Sequence, residues 1–274
     1  MKIKNISIIL IALFISSTIT AQDFQGIATY KSHRKVDLKM GGEEMSNEMK
    51  ERLQEQIRKQ FQQEYTLTFN KNESIYKQNE KLETPAPAQS GGMVVQIQQG
   101  SDIMYKNIKE NRYSNKAEVF GKQFLIKDSL SNRKWELVNE TKNIGKYTCY
   151  KATFTEEVEE QTLNEKNEIT SVASERTSSV WYTPQIPVNN GPEEFHGLPG
   201  LILEVNDGDL TLVCSKIVIN PEEEVRIVEP TKGKVVTQTE FDEIMDKKTE
   251  EMMENFKSRN AHEEGERRMI RIGG

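Results

Sequence analysis

Leu201-Ile202-Leu203-Glu204-Val205-Asn206-Asp207-Gly208-Asp209-Leu210-Thr211-Leu212-Val213-Cys214 is the stretch on which the fold turns. Two short apolar runs flank Asn206-Asp207-Gly208-Asp209, and the glycine can supply the positive φ of a tight hairpin turn. An antiparallel hairpin is therefore expected here. Runs of the same kind continue outward. Upstream lie Val180-Trp181-Tyr182, Thr148 to Phe154, Lys134 to Val138, Lys122 to Ile126, Ile103 to Asn107, Val94 to Ile97, Tyr65 to Phe69 and Phe24 to Tyr30. Downstream is Lys216-Ile217-Val218-Ile219. Most are bounded by Asn, Asp, Gly or Ser, and β-branched or aromatic residues dominate them. Such strands in series form an antiparallel meander with one buried and one wet face. The expected fold class is mainly β (α+β): a curved antiparallel meander or open half-barrel with two amphipathic helices packed on it.

Those helices come from two segments with a different period. Between Glu43 and Glu64 the apolar residues Met45, Met49, Leu53, Ile57 and Phe61 recur every fourth position. From Thr239 to Asn260 the stripe is Phe241, Ile244, Met245, Met252, Met253 and Phe256, with Thr239 and Asp242 as the expected cap. Each helix either covers one end of the sheet or, being rich in adaptable methionine, closes a hydrophobic groove from which it can move. Residues 78–92, QNEKLETPAPAQSGG, read as a flexible loop inside the domain, and the tail 261–274 either frays or pairs weakly through Met269-Ile270.

Four of the eight prolines, Pro184, Pro187, Pro192 and Pro199, fall between Thr183 and Leu201. Gly191, Gly197 and Gly200 share that stretch, and Leu198-Pro199-Gly200-Leu201 suits a type II turn. Gly197-Leu198-Pro199-Gly200-Leu201-Ile202 is the GLPGLI signature, and the chain resembles the GLPGLI family over most of its length. Phe124 to Leu130 with Trp135, Ile144-Gly145-Lys146-Tyr147, Val180 to Pro184 and the opening Gly26 to Tyr30 fall in that family's order. The resemblance implies an exported bacterial protein of β-rich architecture whose biochemical activity is not established, and it carries no catalytic residue across. A meander with helices in its hollow is also similar to the half-barrels of bacterial lipoprotein carriers (the LolA-like fold), an analogy of architecture only.

Lys2 and Lys4, the apolar stretch from Ile6 to Ile15 and the small residues ending at Ala21 form a secretory leader, expected to be cut before Gln22. The expectation is a signal peptide over 1–21, one β-rich domain over 22–260, and a periplasmic or released product. No cysteine stands at the cleavage site for a lipid anchor, and no later segment is apolar enough to span a bilayer. The charge is −6 with the leader, which argues against nucleic-acid binding through phosphate neutralisation. Export permits a disulfide. Cys149 and Cys214 are either bonded, closing a loop of about 65 residues worth roughly 4 kcal/mol, or two buried free thiols.

Motifs for chemistry are sparse. No G-x-S-x-G, HExxH or phosphate loop occurs, and nothing calls for a metal or cofactor. His196, beside Glu193, Glu194 and Phe195, is either a ligand contact near neutral pH or an exposed loop residue. Trp181, Tyr182 and Phe195, with Trp135, form either a platform for a sugar or peptide or a plug closing the β-core. Glu156-Glu157, Glu159-Glu160 and Glu222-Glu223-Glu224 read as solvated rims, and Asp128-Ser129-Leu130 resembles a short O-glycan acceptor sequence. The leading expectation is a non-enzymatic envelope protein that binds a lipid-like hydrophobic ligand or an envelope partner. Trp181, Tyr182, Phe195, His196, Leu198 and Pro199 and the two helix faces are its candidate contacts. The alternatives are an interaction module working through the 183–200 loop, and an uncharacterised hydrolase.

Overall fold

The computed structural model describes residues 24–34, 62–79, 103–119, 121–163, 169–251 and 254, with side chains of 159–172 left out. The strands are β1 (Gln25–Arg34), β2 (Glu64–Asn70), β3 (Glu73–Gln78), β4 (Ile103–Asn107), β5 (Arg112–Val119) and β6 (Lys122–Ser129). They continue as β7 (Glu136–Ile144), β8 (Tyr147–Leu163), β9 (Ile169–Thr183), β10 (Leu201–Asp207), β11 (Leu210–Ile219) and β12 (Lys234–Val236). One helix, α1, covers 238–251. All twelve strands join one open sheet, in the order β12-β6-β5-β4-β3-β2-β1-β11-β10-β9-β8-β7. The expected hairpin is present: Asp207 pairs with Leu210 and Gly208 takes φ 57°.

The meander is really two meanders. β1 to β6 run outward to one side, β7 to β11 return from the other, and β1 zips to β11 along the middle from Gly26↔Ile219 to Arg34↔Leu210. This arrangement forces curvature. Ten inter-strand steps of about 4.8 Å separate β6 from β7 along the sheet, yet only residues 130–135 connect them, a reach of at most ~25 Å. The sheet must bend for its two flanks to meet that constraint. Among the described residues no pairing closes it, and the sheet remains open.

Cross-strand register defines the face on which everything else is built. Ala28, Leu67, Tyr76, Met104, Asn115, Ile126 and Val236 lie opposite one another in turn across seven strands. The neighbouring row on this face is Gly26, Phe69, Ser74, Lys106, Tyr113 and Asp128. At one end of the first row Ala28, Leu67 and Tyr76 join a core cluster with Tyr30 and Phe69. At the other, Ile126 and Val236 form a small cluster with Ala117 and Phe124.

α1 sits over that small cluster. Phe241 meets Phe124 edge to face, centroids 5.4 Å apart, and Ile244 packs beside it. So among the described residues the Phe241–Ile244 part of the stripe is packing. The cap lies two residues earlier than expected. Thr237 Oγ1 accepts from the Glu240 amide at 3.2 Å, and Glu240 Oε2 accepts from the Thr237 amide at 2.9 Å, a reciprocal capping box. Only one helix is described rather than two. The segment carrying Met45, Met49, Leu53, Ile57 and Phe61, together with Met252, Phe256, Val94 to Ile97 and the 80–92 part of the loop, lies outside the described residues.

The hollow of the bend holds the proline-rich loop, 184–200, between β9 and β10. Ile186 and Val188 join the first core cluster, and Phe195 and Leu198 join a second with Phe154, Tyr182 and Ile202. Its turns combine i+2→i bonds, Val188 to Ile186, Asn190 to Val188 and Gly200 to Leu198, with i+3→i bonds from Ile186 to Thr183 and Phe195 to Pro192. The type II turn expected at 198–201 is therefore absent. Gly197, not Gly200, takes the positive φ (96°). Gly200 is needed for close approach, since a Cβ there would stand 2.2 Å from the Thr183 carbonyl oxygen. Of the two readings of the cysteines, the structure has the free thiols: Cys149 and Cys214 are both buried in the first cluster and unbonded.

Candidate functional site

A cleft of about 720 Å³ opens on the face just described, where neither the loop nor α1 covers it. Its floor is Tyr65 on β2, Tyr76 and Gln78 on β3, Met104 on β4 and Tyr113 and Asn115 on β5. Asp128 and Ser129 on β6, Ser131 after it, and Gln238 at the start of α1 make one wall; Glu193 and Glu194 of the loop make the other. The loop thus serves both core and site, and the two elements that frame the cleft are pinned independently.

On the loop side the pin is Lys106. Its side chain is fully buried, and Nζ donates to the carbonyls of Gly191 at 2.7 Å and Phe195 at 3.2 Å. Burial, reinforced by Arg133, pulls its pKa down to about 7 against the opposing pull of Glu194 and Glu193. Ser74 donates to Asn190 Oδ1 at 3.2 Å from the same row. From the linker, Trp135 Nε1 donates to the His196 carbonyl at 2.8 Å. Arg133 donates to the Glu194 carbonyl at 2.8 Å, pairs with its carboxylate at 3.0 Å, and lies over the rings of Phe154 and Phe195. On the helix side Asp128 Oδ1 accepts from the Ser129 amide at 2.7 Å and Oδ2 from the Gln238 amide at 3.1 Å, which hold its carboxyl below the usual range. Tyr113 donates to Gln238 Oε1 at 2.8 Å.

Between these pins the floor holds atoms that the fold leaves unpaired. Tyr76 is 4% exposed, and its hydroxyl has no hydrogen-bond partner among the described residues. Burial, with the Glu193 charge added, drives its pKa far up. The Asn115 Oδ1 is likewise buried and unpaired, two strands away in the same cross-strand row. Glu193 holds φ 47°, an uncommon conformation for a non-glycine residue. Burial first, then the charges of Glu194 and Asp207, push its carboxyl up to about 7, with Arg34 and Lys106 pulling the other way. An unpaired buried polar atom costs about 1–3 kcal/mol, so two on one floor are a feature to be explained. Tyr65 and Tyr76 stack beside them, centroids 5.1 Å apart and 7° from parallel.

The residues singled out from sequence are placed differently. Phe195, His196 and Leu198 are buried in the loop's underside and Tyr182 is buried beneath them, while Pro199 is exposed. His196 is neither the exposed residue nor a cleft residue. Its Nδ1 lies 2.9 Å from the Glu194 carbonyl, and burial lowers its pKa. Trp181 lies on a separate surface, with Lys142 Nζ 4.3 Å from its ring centroid and Lys151 at 5.8 Å. None of these six residues lines the cleft. Asp128 and Ser129 do, while Leu130 beside them is buried. Of the other cleft residues, sequence reading had marked the Glu193-Glu194 pair, as the setting of His196. The floor tyrosines stood in runs read simply as strand or not read at all. Among the described residues no cluster of His, Cys, Asp and Glu could hold a metal, and no helix is long and apolar enough to cross a membrane.

Three comparisons bear on identity. The profile of a family described as "Protein of unknown function (Porph_ging)" matches residues 135–204. The matched segment runs from β7 through the loop to β10 and contains the GLPGLI hexapeptide, with which it is consistent. The cleft floor lies outside it. No curated protein matches the chain significantly. Among solved structures, PNGF-II in a C2 crystal form aligns with 80% of this chain at 12% identity and a TM-score of 0.46. The P21 form aligns with 81% at 13% identity and the same TM-score. The alignment spans 32% of the PNGF-II chain in both.

Proposed function

We propose that this chain is an exported, non-catalytic binding protein whose ligand lies in the cleft between β2–β6, the proline-rich loop and α1. The observation carrying this reading is the pair of unpaired polar atoms, Tyr76 Oη and Asn115 Oδ1, on the floor of a cleft of about 720 Å³. That volume is within the range of small-molecule sites. A bound group bridging both atoms would recover the free energy the fold forgoes by leaving them dry. Export is supported by the leader-like residues 1–21.

The ligand chemistry that this floor favours is mixed rather than lipid-like. Asn115 interrupts an otherwise apolar row, Met104 is the one methionine on it, and Phe241 and Ile244 of α1 are engaged with Phe124 and Val236. A hydrophobic cargo carried under α1 therefore has less support than a polar ligand resting on tyrosine. An interaction module working through the loop also has less support, since Phe195, His196 and Leu198 face the core. The test is native mass spectrometry of protein purified from its source, beside a Met104→Trp variant that fills the cleft. The reading expects a non-covalent adduct on the wild type that the folded variant loses; an adduct retained by the variant would place the ligand elsewhere.

A further inference from the structure

We propose that the cleft recognises an organic cation: an alkylammonium or guanidinium group, as borne by a free polyamine or by a basic peptide side chain. This deepens the reading above and rests on it. The first argument is charge. Asp128, Glu193 and Glu194 line the cleft, and no Lys, Arg or His does so among the described residues. Glu194 is compensated by Arg133 at 3.0 Å and Asp128 by two backbone amides. Among the described residues Glu193 has no hydrogen bond or ion pair; of the two cations that act on it, Arg34 and Lys106, the second is committed to two loop carbonyls. A carboxylate so placed is one for which a ligand cation would be the missing partner.

The second argument is independent of charge. Asn115 Oδ1 can only accept a hydrogen bond, and Tyr76 Oη can accept one. An ammonium or guanidinium group can donate to either of them, and Asn115 Oδ1 admits only a donor. The rings of Tyr65 and Tyr113 along the same floor offer faces that attract a cation and apolar surface for its alkyl stem. A metal ion is a poorer fit, since no described cluster offers it three ligands.

pH should modulate the site in one direction. The charged or titratable groups acting on Glu193 are Glu194 beside it, Asp207 at the end of β10, Arg34 on β1, Lys106 on β4 and Tyr76 on β3. Below pH 7 Glu193 takes up a proton and ceases to attract a cation, while Lys106 becomes charged and repels one.

The experiment follows tyrosine ring and amide resonances by NMR in the full mature chain. The probes are cadaverine and Nα-acetyl-lysine methylamide, against the uncharged Nα-acetyl-norleucine methylamide and maltose. Cationic probes should shift Tyr65, Tyr76 and Tyr113, and the uncharged ones should do so much less. The two cationic probes separate the sources: preference for the blocked lysine indicates a peptide, and preference for cadaverine a free amine. Glu193→Gln, which keeps the melting temperature, should weaken cation binding about tenfold or more, as should lowering the pH from 8 to 5.5. Equal or stronger response to norleucine amide or maltose, or an unchanged affinity in Glu193→Gln, overturns the cation assignment and leaves the cleft as a binding site. If no probe moves any cleft tyrosine, the cleft reading falls with it.

Discussion

Phe195→Ala separates a core loop from a contact loop. Phe195 is 3% exposed and packs in the second cluster with Leu198, Ile202 and Phe154, the Phe154 centroid 6.4 Å away. Its ring also forms one side of the slot holding Arg133, whose guanidinium carbon is 5.0 Å from the centroid. Truncating a buried phenylalanine typically costs about 3–5 kcal/mol in lost transfer and cavity formation. Arg133 retains Phe154 and Glu194, so little is added for the cation contact. With roughly 2–4 °C per kcal/mol for a chain of this size, the melting temperature should fall by about 10 °C. Calorimetry or urea denaturation of the mature chain reads this directly, and Phe195→Leu should fall in between. A loop whose aromatic side chain served a partner would behave otherwise. A loss below about 1 kcal/mol for Phe195→Ala, with an unchanged fold, would refute the argument that the 184–200 loop is part of the core.

Two further outcomes follow from buried titratable groups. Lys106 has a folded pKa near 7, below its ordinary value of 10.5, so the folded state gives up its proton before the unfolded state does. Its contribution to stability is therefore complete above the unfolded value and is lost as pH falls toward 7. Urea denaturation from pH 7 to 10 should show wild type gaining on Lys106→Met as pH rises, with a slope approaching about 1.4 kcal/mol per pH unit; parallel curves would contradict it. Burial raises the thiols of Cys149 and Cys214 to about 11 and about 12, so iodoacetamide at pH 8 should label neither in the folded protein and both after denaturation. Rapid labelling of the native chain would mean that the first core cluster is open to solvent.

Strands whose buried face is apolar were legible in sequence, and the missed ones share a cause. β3 reads Glu73-Ser74-Ile75-Tyr76-Lys77-Gln78, and its buried residues are Ser74 and Tyr76, one of them polar. β5 places Tyr113, Asn115 and Ala117 on the cleft face, while Ser114 on the other face is buried beneath Glu229, to which it donates at 2.6 Å. Period-two hydrophobicity fails where polar groups are buried, and here it fails in two of the four strands that make the cleft floor. Local rules give way at sites with another task. β12 is three residues long and pairs in parallel with β6, a partner about 110 positions away that no local pattern could name. The cleft was unreadable for the same reason: Tyr76, Met104 and Asn115 are brought together only by register.

The hollow of the bend holds a loop beside α1, and burying a loop raises an accounting problem that explains the odd residues around it. Backbone amides and carbonyls away from water must be paired, and a loop has no ladder to pair them. Prolines reduce the demand, because each of Pro184, Pro187, Pro192 and Pro199 carries no N–H. The tight turns and the bonds from Leu201 to Ile186 and from Ile202 to Asn190 absorb others. What remains is chiefly carbonyls, those of Gly191, Glu194, Phe195 and His196, and these need donors from outside the loop. Lys106, Arg133 and Trp135 supply them. A lysine in the core is costly on its own and intelligible here, since it offers more than one donor to acceptors that neither strand could reach. Seen this way, the proline content that reads in sequence as stiffness is also a means of being buried. The polar residues beneath the loop are its necessary complement, and Glu193 is the acidic group this arrangement leaves lining the cleft without a partner among the described residues.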